Sequence, residues 1–78
     1  MDAEDKLQVY PNPVFANSGY IRITPQSVDG YAVDISGRVV KRIENGRMNI
    51  EGLPSGIYLL NLNHRGKRVV KKLLLLGN

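Results

Sequence analysis

The chain contains no cysteine and no tryptophan, and it has a single histidine, His64, and a single phenylalanine, Phe15. Without cysteine there is no disulfide framework, no thiol nucleophile and no thiolate-held zinc or iron–sulfur centre. One imidazole among scattered carboxylates offers no first-row metal site, so neither metal nor cofactor is expected. Long apolar runs are missing too. The longest, Leu73-Leu74-Leu75-Leu76, is four residues, where a membrane-spanning helix needs about 20. The opening Met1-Asp2-Ala3-Glu4-Asp5 is acidic where a secretory signal would be basic and then apolar. The chain is therefore expected to be either cytoplasmic or a piece of an exported protein whose signal lies elsewhere.

The patterns that carry catalysis are absent as well. There is no phosphate-binding glycine loop, no G-x-G-x-x-G, no nucleophile elbow and no HExxH. Ser18, Ser27, Ser36 and Ser55 all fall in predicted turns, where a hydroxyl serves the local backbone. His64 reads as an exposed turn residue beside Arg65. With no nucleophile, base and orienting group in one set, the chain is not expected to be an enzyme.

What is present points to a small globular domain. Seventy-eight residues suit one domain, and a chain of this size buries only roughly 60% of its unfolded surface. At 42% hydrophobic and 23% charged it belongs with folded rather than disordered chains. The formal charge of +4 is unevenly placed. Residues 1–36 carry Lys6 and Arg22 against Asp2, Glu4, Asp5, Asp29 and Asp34, a net −3. Residues 37–78 carry Arg38, Lys41, Arg42, Arg47, Arg65, Lys67, Arg68, Lys71 and Lys72 against Glu44 and Glu51, a net +7. Such a bias suits an anionic partner for the second half, or solvated strand faces where Lys and Arg discourage edge pairing. Nucleic acid is not the expected partner. The basic run Arg65-Gly66-Lys67-Arg68-Val69-Val70-Lys71-Lys72 has no aromatic residue near it in sequence on which bases could stack, and it matches no nucleic-acid module.

No helical period of any length occurs. Short β-branched or aromatic runs are separated by Gly, Pro and Asn, as in an all-β sandwich or barrel. Seven strands are predicted, at 7–10, 20–24, 31–35, 38–43, 47–50, 56–62 and 67–76. Asn45-Gly46 is the clearest local signal, a type I′ turn; Ser36-Gly37 reads as a second tight turn and residues 63–66 as a third. The short span from Tyr20 to Tyr31, with Pro25 and Gly30 inside it, predicts an abbreviated second and third strand. In Leu53-Pro54-Ser55-Gly56-Ile57-Tyr58 the proline fixes a turn, the glycine takes a backbone others resist, and the tyrosine enters the next strand. That is the sequence form of a tyrosine corner. Seven short strands with such a corner predict an immunoglobulin-like two-sheet β-sandwich.

Three separated segments together resemble one family. They are Val9-Tyr10-Pro11-Asn12-Pro13, then Tyr31-Ala32-Val33-Asp34-Ile35-Ser36-Gly37-Arg38-Val39-Val40, then Leu53-Pro54-Ser55-Gly56-Ile57-Tyr58-Leu59-Leu60 followed by Lys71-Lys72-Leu73-Leu74-Leu75. In that order the chain is similar to a type A C-terminal sorting domain of the type IX secretion system. The resemblance implies a seven-stranded immunoglobulin-like domain at the end of a larger exported cargo. Such a domain is read as an address for crossing the outer membrane of Gram-negative bacteria, after passage through the periplasm. It also implies removal by a sortase-like cysteine peptidase, attachment of the cargo to anionic lipopolysaccharide, and residence at the cell surface or outside the cell. On this reading the partners are translocon and sortase proteins, with lipopolysaccharide as a further one. Met1 then marks a start from which the cargo has been cut away, residues 1–6 are disordered linker, and 7–78 are the sorting domain. The other readings of the residues are an immunoglobulin-like adhesion or glycan-binding module and a lipopolysaccharide-binding domain retained in the sorting machinery.

The candidate recognition residues are Tyr10, Pro11, Asn12, Pro13, Gly37, Arg38, Gly56, Tyr58, Lys71, Lys72, Leu73 and Leu74. Lys71 and Lys72 must point to opposite faces of the last strand. Its leucines are expected mostly in the core, with the lysines as guards against aggregation; an apolar edge left open there would permit weak self-association. Gly37 and Gly56 are expected to serve the backbone, and Arg38 to pair with Asp34 across a turn.

Overall fold

A strand of nine residues and one of ten, joined by a two-residue turn, make the longest hairpin. The computed structural model describes residues 7–77, and the expected linker at 1–6 lies outside the described residues. In chain order the strands are β1 (Gln8–Tyr10), β2 (Val14–Phe15), β3 (Tyr20–Thr24), β4 (Asp29–Val33), β5 (Val39–Ile43), β6 (Arg47–Asn49), β7 (Gly56–His64) and β8 (Lys67–Leu76), with a 3-10 turn at Ala16–Ser18. The β7–β8 pair runs in unbroken register from His64 opposite Lys67 to Gly56 opposite Leu75. Arg65 and Gly66, with φ of 55° and 77°, supply the two left-handed residues of a type I′ turn between them.

The described residues form two sheets, of three strands in the order β1-β3-β6 and of five in the order β2-β8-β7-β4-β5. All pairings are antiparallel except β2 with β8. Every second side chain turns inward, and the inward rows meet in one core. Ile21, Ile23 and Met48 come from the smaller sheet; Ala32, Ile43, Tyr58, Leu60, Leu62, Leu73 and Leu75 come from the larger. Leu7, Val14, Val28 and Ile50 close the margins. No charged side chain is buried among the described residues, so the cations lie on the outside.

The all-β, two-sheet expectation holds; the count of seven strands does not. The additional strand is β2, two residues after the Pro11–Pro13 turn, held only by pairing with the far end of the chain. No local pattern announces so short an element. β3 and β4 are full five-residue strands rather than abbreviated ones, because Pro25 falls in the turn and Gly30 sits inside β4 against Asn61. β7 runs on to His64, so the predicted four-residue turn shrinks to two. His64 is half-buried and paired with Lys67 rather than exposed in a loop, and its Nδ1 has no partner among the described residues. Ile35 belongs to a turn and is 88% exposed; Asp34 bonds across to Arg38, leaving a three-residue loop whose last member, Gly37, has φ of 88°.

Asn45 and Gly46 form the expected type I′ turn, with φ of 54° and 67°. Yet the strands on either side part into different sheets after a single bridge between Glu44 and Arg47. The Gly46 amide donates to the Val28 carbonyl and its carbonyl accepts from the Ile23 amide, at 2.8 and 2.7 Å. The turn is thus a corner that carries the chain from one layer to the other, and a Cβ at Gly46 would run into the Ile23 carbonyl.

Candidate functional site

Pro11 and Pro13 fix φ and remove two backbone donors, so β1 cannot continue past Tyr10. Asn12, between them, replaces backbone pairing with its side chain. Its Nδ2 donates to the Lys72 carbonyl at 2.8 Å and its Oδ1 accepts from the Leu74 amide at 3.1 Å. One carboxamide thereby clamps the outer edge of β8 from 60 residues away. The chain then continues as β2, parallel to β8, with Val14 opposite Leu75 and Phe15 opposite Leu76. Tyr10 itself stands apart, exposed in β1 opposite Arg22 on the other sheet.

The clamp explains how β8 is used. In a hairpin closed by a two-residue turn, Lys67, Val69, Lys71, Leu73 and Leu75 bond to β7, and the residues between them aim N–H and C=O outward. Asn12 takes the outward groups of Lys72 and Leu74, and β2 covers the end. The apolar end of β8 is therefore not an open edge, so the condition stated for self-association through it is not met there. The uncovered stretch lies around Arg68 and Val70, where no strand pairs with it among the described residues.

Side chains divide as cleanly. Leu73 and Leu75 are buried, and Lys71 is half-buried on the same inward row. Lys72 and Leu74 face out, Leu74 at 36% exposure, beside their β7 partners Leu59 and Ile57. With Phe15 at the end of β2, the result is an apolar outer face that holds one cation, Lys72. Ile57 and Leu59 were missed as surface residues because 57–60 is apolar on both alternating rows, and nothing local says which row faces out.

Gly56 and Tyr58 pair with Leu75 and Leu73, so the third segment joins the same end of β8. The Tyr58 hydroxyl donates to the Pro54 carbonyl, closing the corner. Burial, and next the Asp34 charge, push this phenol above its ordinary pKa. Gly56 has φ of 150° and Gly37 φ of 88°, and a Cβ at either would meet open space; backbone conformation, not crowding, calls for glycine there. Across β7, at the same end of the sheet, Asp34 organises the β4–β5 loop. Its Oδ1 accepts from the Ser36 hydroxyl at 2.6 Å, the Ser36 amide at 2.9 Å and the Arg38 amide at 3.1 Å, and its Oδ2 meets Arg38 Nε at 3.4 Å. The Ser36 hydroxyl foremost, then the Arg38 amide, draws the Asp34 carboxyl down to about 2. This loop and the 53–58 corner border a depression of about 420 Å³.

The structure thus brings Asn12, Gly56, Tyr58 and Lys72 to Leu74 into one region, sets Gly37 and Arg38 across β7 from it, and leaves Tyr10 on the other sheet. The means available there are apolar contact and a cation, which are means of a binding surface. No curated protein matches the chain. The family model of the secretion system C-terminal sorting domain matches residues 8–76. The chain belongs to that family.

Proposed function

We propose that this member of the C-terminal sorting domain family directs a cargo protein across the outer membrane by the type IX secretion system, and that the clamped end of β8 is what the machinery reads. The observation that carries the reading is the family match over residues 8–76, nearly the whole chain. The meeting of the first and third motif segments at β8 supports reading the address there, with Lys72 and Leu74 outward, Asn12 along the edge and the Tyr58 corner behind. The partners on this reading are translocon proteins and a sortase-like cysteine peptidase that removes the domain and joins the cargo to anionic lipopolysaccharide, after transit through the periplasm. The fold suits the immunoglobulin-like class. The tyrosine corner opens β7, and the short β2 runs parallel to the last strand at the sheet's margin.

The test is a reporter carrying a Sec signal at its start and this chain at its end. In cells with the type IX system the reporter is expected outside the cell; in cells lacking the translocon it is expected in the periplasm. Periplasmic retention in both would refute the assignment.

A further inference from the structure

The outer face of the smaller sheet carries an arrangement that lies apart from the proposed export address on β8. Register places Tyr10, Arg22 and Arg47 in one row across β1, β3 and β6. The hydrogen bonds from Ile23 to Gly46 and from Ile50 to Gly19 make Arg22 and Arg47 a non-hydrogen-bonded pair, the kind whose Cα atoms approach to about 4.5 Å. Like charges directly opposite each other destabilise a sheet. Among the described residues neither guanidinium has a carboxylate within ion-pair distance; the single pair found is Arg38 with Asp34. Both instead pack against Tyr20, with Cζ at 4.1 Å from the ring centroid for Arg47 and 5.8 Å for Arg22. Stacking fixes the two forks and leaves their N–H groups unspent. Glu44 borders the same ground without pairing to either.

We infer that this face binds an acidic sugar: an oxyanion, carboxylate or phosphate, bridges Arg22 and Arg47 while the sugar ring lies on Tyr10. Two forked cations repelling one another across a strand pair gain most from a shared anion. Tyr10 is 43% exposed, giving an apolar ring face beside the charge. The depression between them, about 470 Å³ and rimmed by Thr24, Gln26 and Asn45, has room for a sugar and groups to meet its hydroxyls. The site lies on the sheet opposite β8 and stands or falls independently of the export role.

The test titrates the whole 78-residue chain with glucuronate, glucose 6-phosphate, glucose and inorganic phosphate, followed by NMR of backbone amides and arginine Nε. Both acidic sugars are expected to move the signals of Tyr10, Tyr20, Arg22 and Arg47. Glucose should move none of these, and inorganic phosphate should bind more weakly than glucose 6-phosphate. Arg22→Gln and Arg47→Gln should each weaken binding roughly tenfold or more, as loss of a charge-assisted contact does. Arg47→Lys, which keeps the charge and loses the fork, should weaken it as well. Arg68→Gln with Lys72→Gln should leave it unchanged. Equal binding of free phosphate, shifts centred on β8, or binding indifferent to Arg22→Gln and Arg47→Gln would each overturn the inference, as would no binding of either acidic sugar.

Discussion

Asn12 does with one side chain what the two flanking prolines prevent the backbone from doing. Asn12→Ala removes both bonds to β8, and at about 1 kcal/mol net each this should destabilise the chain by about 1–2 kcal/mol. A urea midpoint measures the loss, and faster hydrogen exchange at the Leu74 amide locates it. Tyr58→Phe keeps the buried ring and leaves the Pro54 carbonyl without its donor, with an expected loss of about 1 kcal/mol in the same assay. Asp34 gives a pH signature. Its carboxyl is lowered from 3.8 to about 2, so its stabilisation is complete above about pH 4 and is lost as pH falls toward 2. The gap in melting temperature between the native chain and Asp34→Asn should therefore be flat above pH 4 and close below it. Ser36→Ala should raise the Asp34 pKa more than Arg38→Gln does, because the serine hydroxyl is the largest cause and the exposed guanidinium the smallest. The Asp34–Arg38 pair and the tyrosine corner were legible in the sequence because each is local, spanning four residues. The Asn12 clamp spans 60, and nothing around Asn12 names its partner.

Strands whose pattern and turn are both local were read correctly, β3 and β8 to the residue. Those defined by distant pairing were not. β2 exists because Leu75 and Leu76 are beside it, and β6 leaves β5 for the other sheet although Asn45-Gly46 makes the turn a hairpin would use. That corner is a point where backbone packing, not propensity, requires glycine. Gly46→Ala, strained at φ of 67° and pressed on Ile23, should cost well over 1 kcal/mol in urea unfolding. Within β8, alternation separates the leucines sharply. Leu73→Ala opens a core cavity and should cost about 2–5 kcal/mol, while Leu74→Ala should cost under about 1. Equal costs would mean that the two faces of β8 are assigned wrongly.

For the molecule as a whole, absence of chemistry and presence of an ordered motif set led to the family, while charge did not. The cations behind the +4 are spread over several places, among them a basic strand edge around Arg68, Lys41 and Arg42 on β5, and an arginine pair on the opposite sheet. A sum over the sequence cannot separate these, because only register puts Arg47 beside Arg22. The proposed recognition surface was legible in part. The last strand was singled out, but which of its residues face outward follows from the hairpin register, and the covering of its edge from Asn12. The outward face of the clamped β8 end is proposed as the export address. It is tested most directly by the Sec-signal reporter fused to this chain with Lys72→Glu and Leu74→Glu together, changes to two outward side chains that leave the core untouched. The double variant is expected to keep a melting temperature close to that of the unchanged chain and to hold the reporter in the periplasm. A folded variant exported as efficiently as the unchanged chain would contradict it.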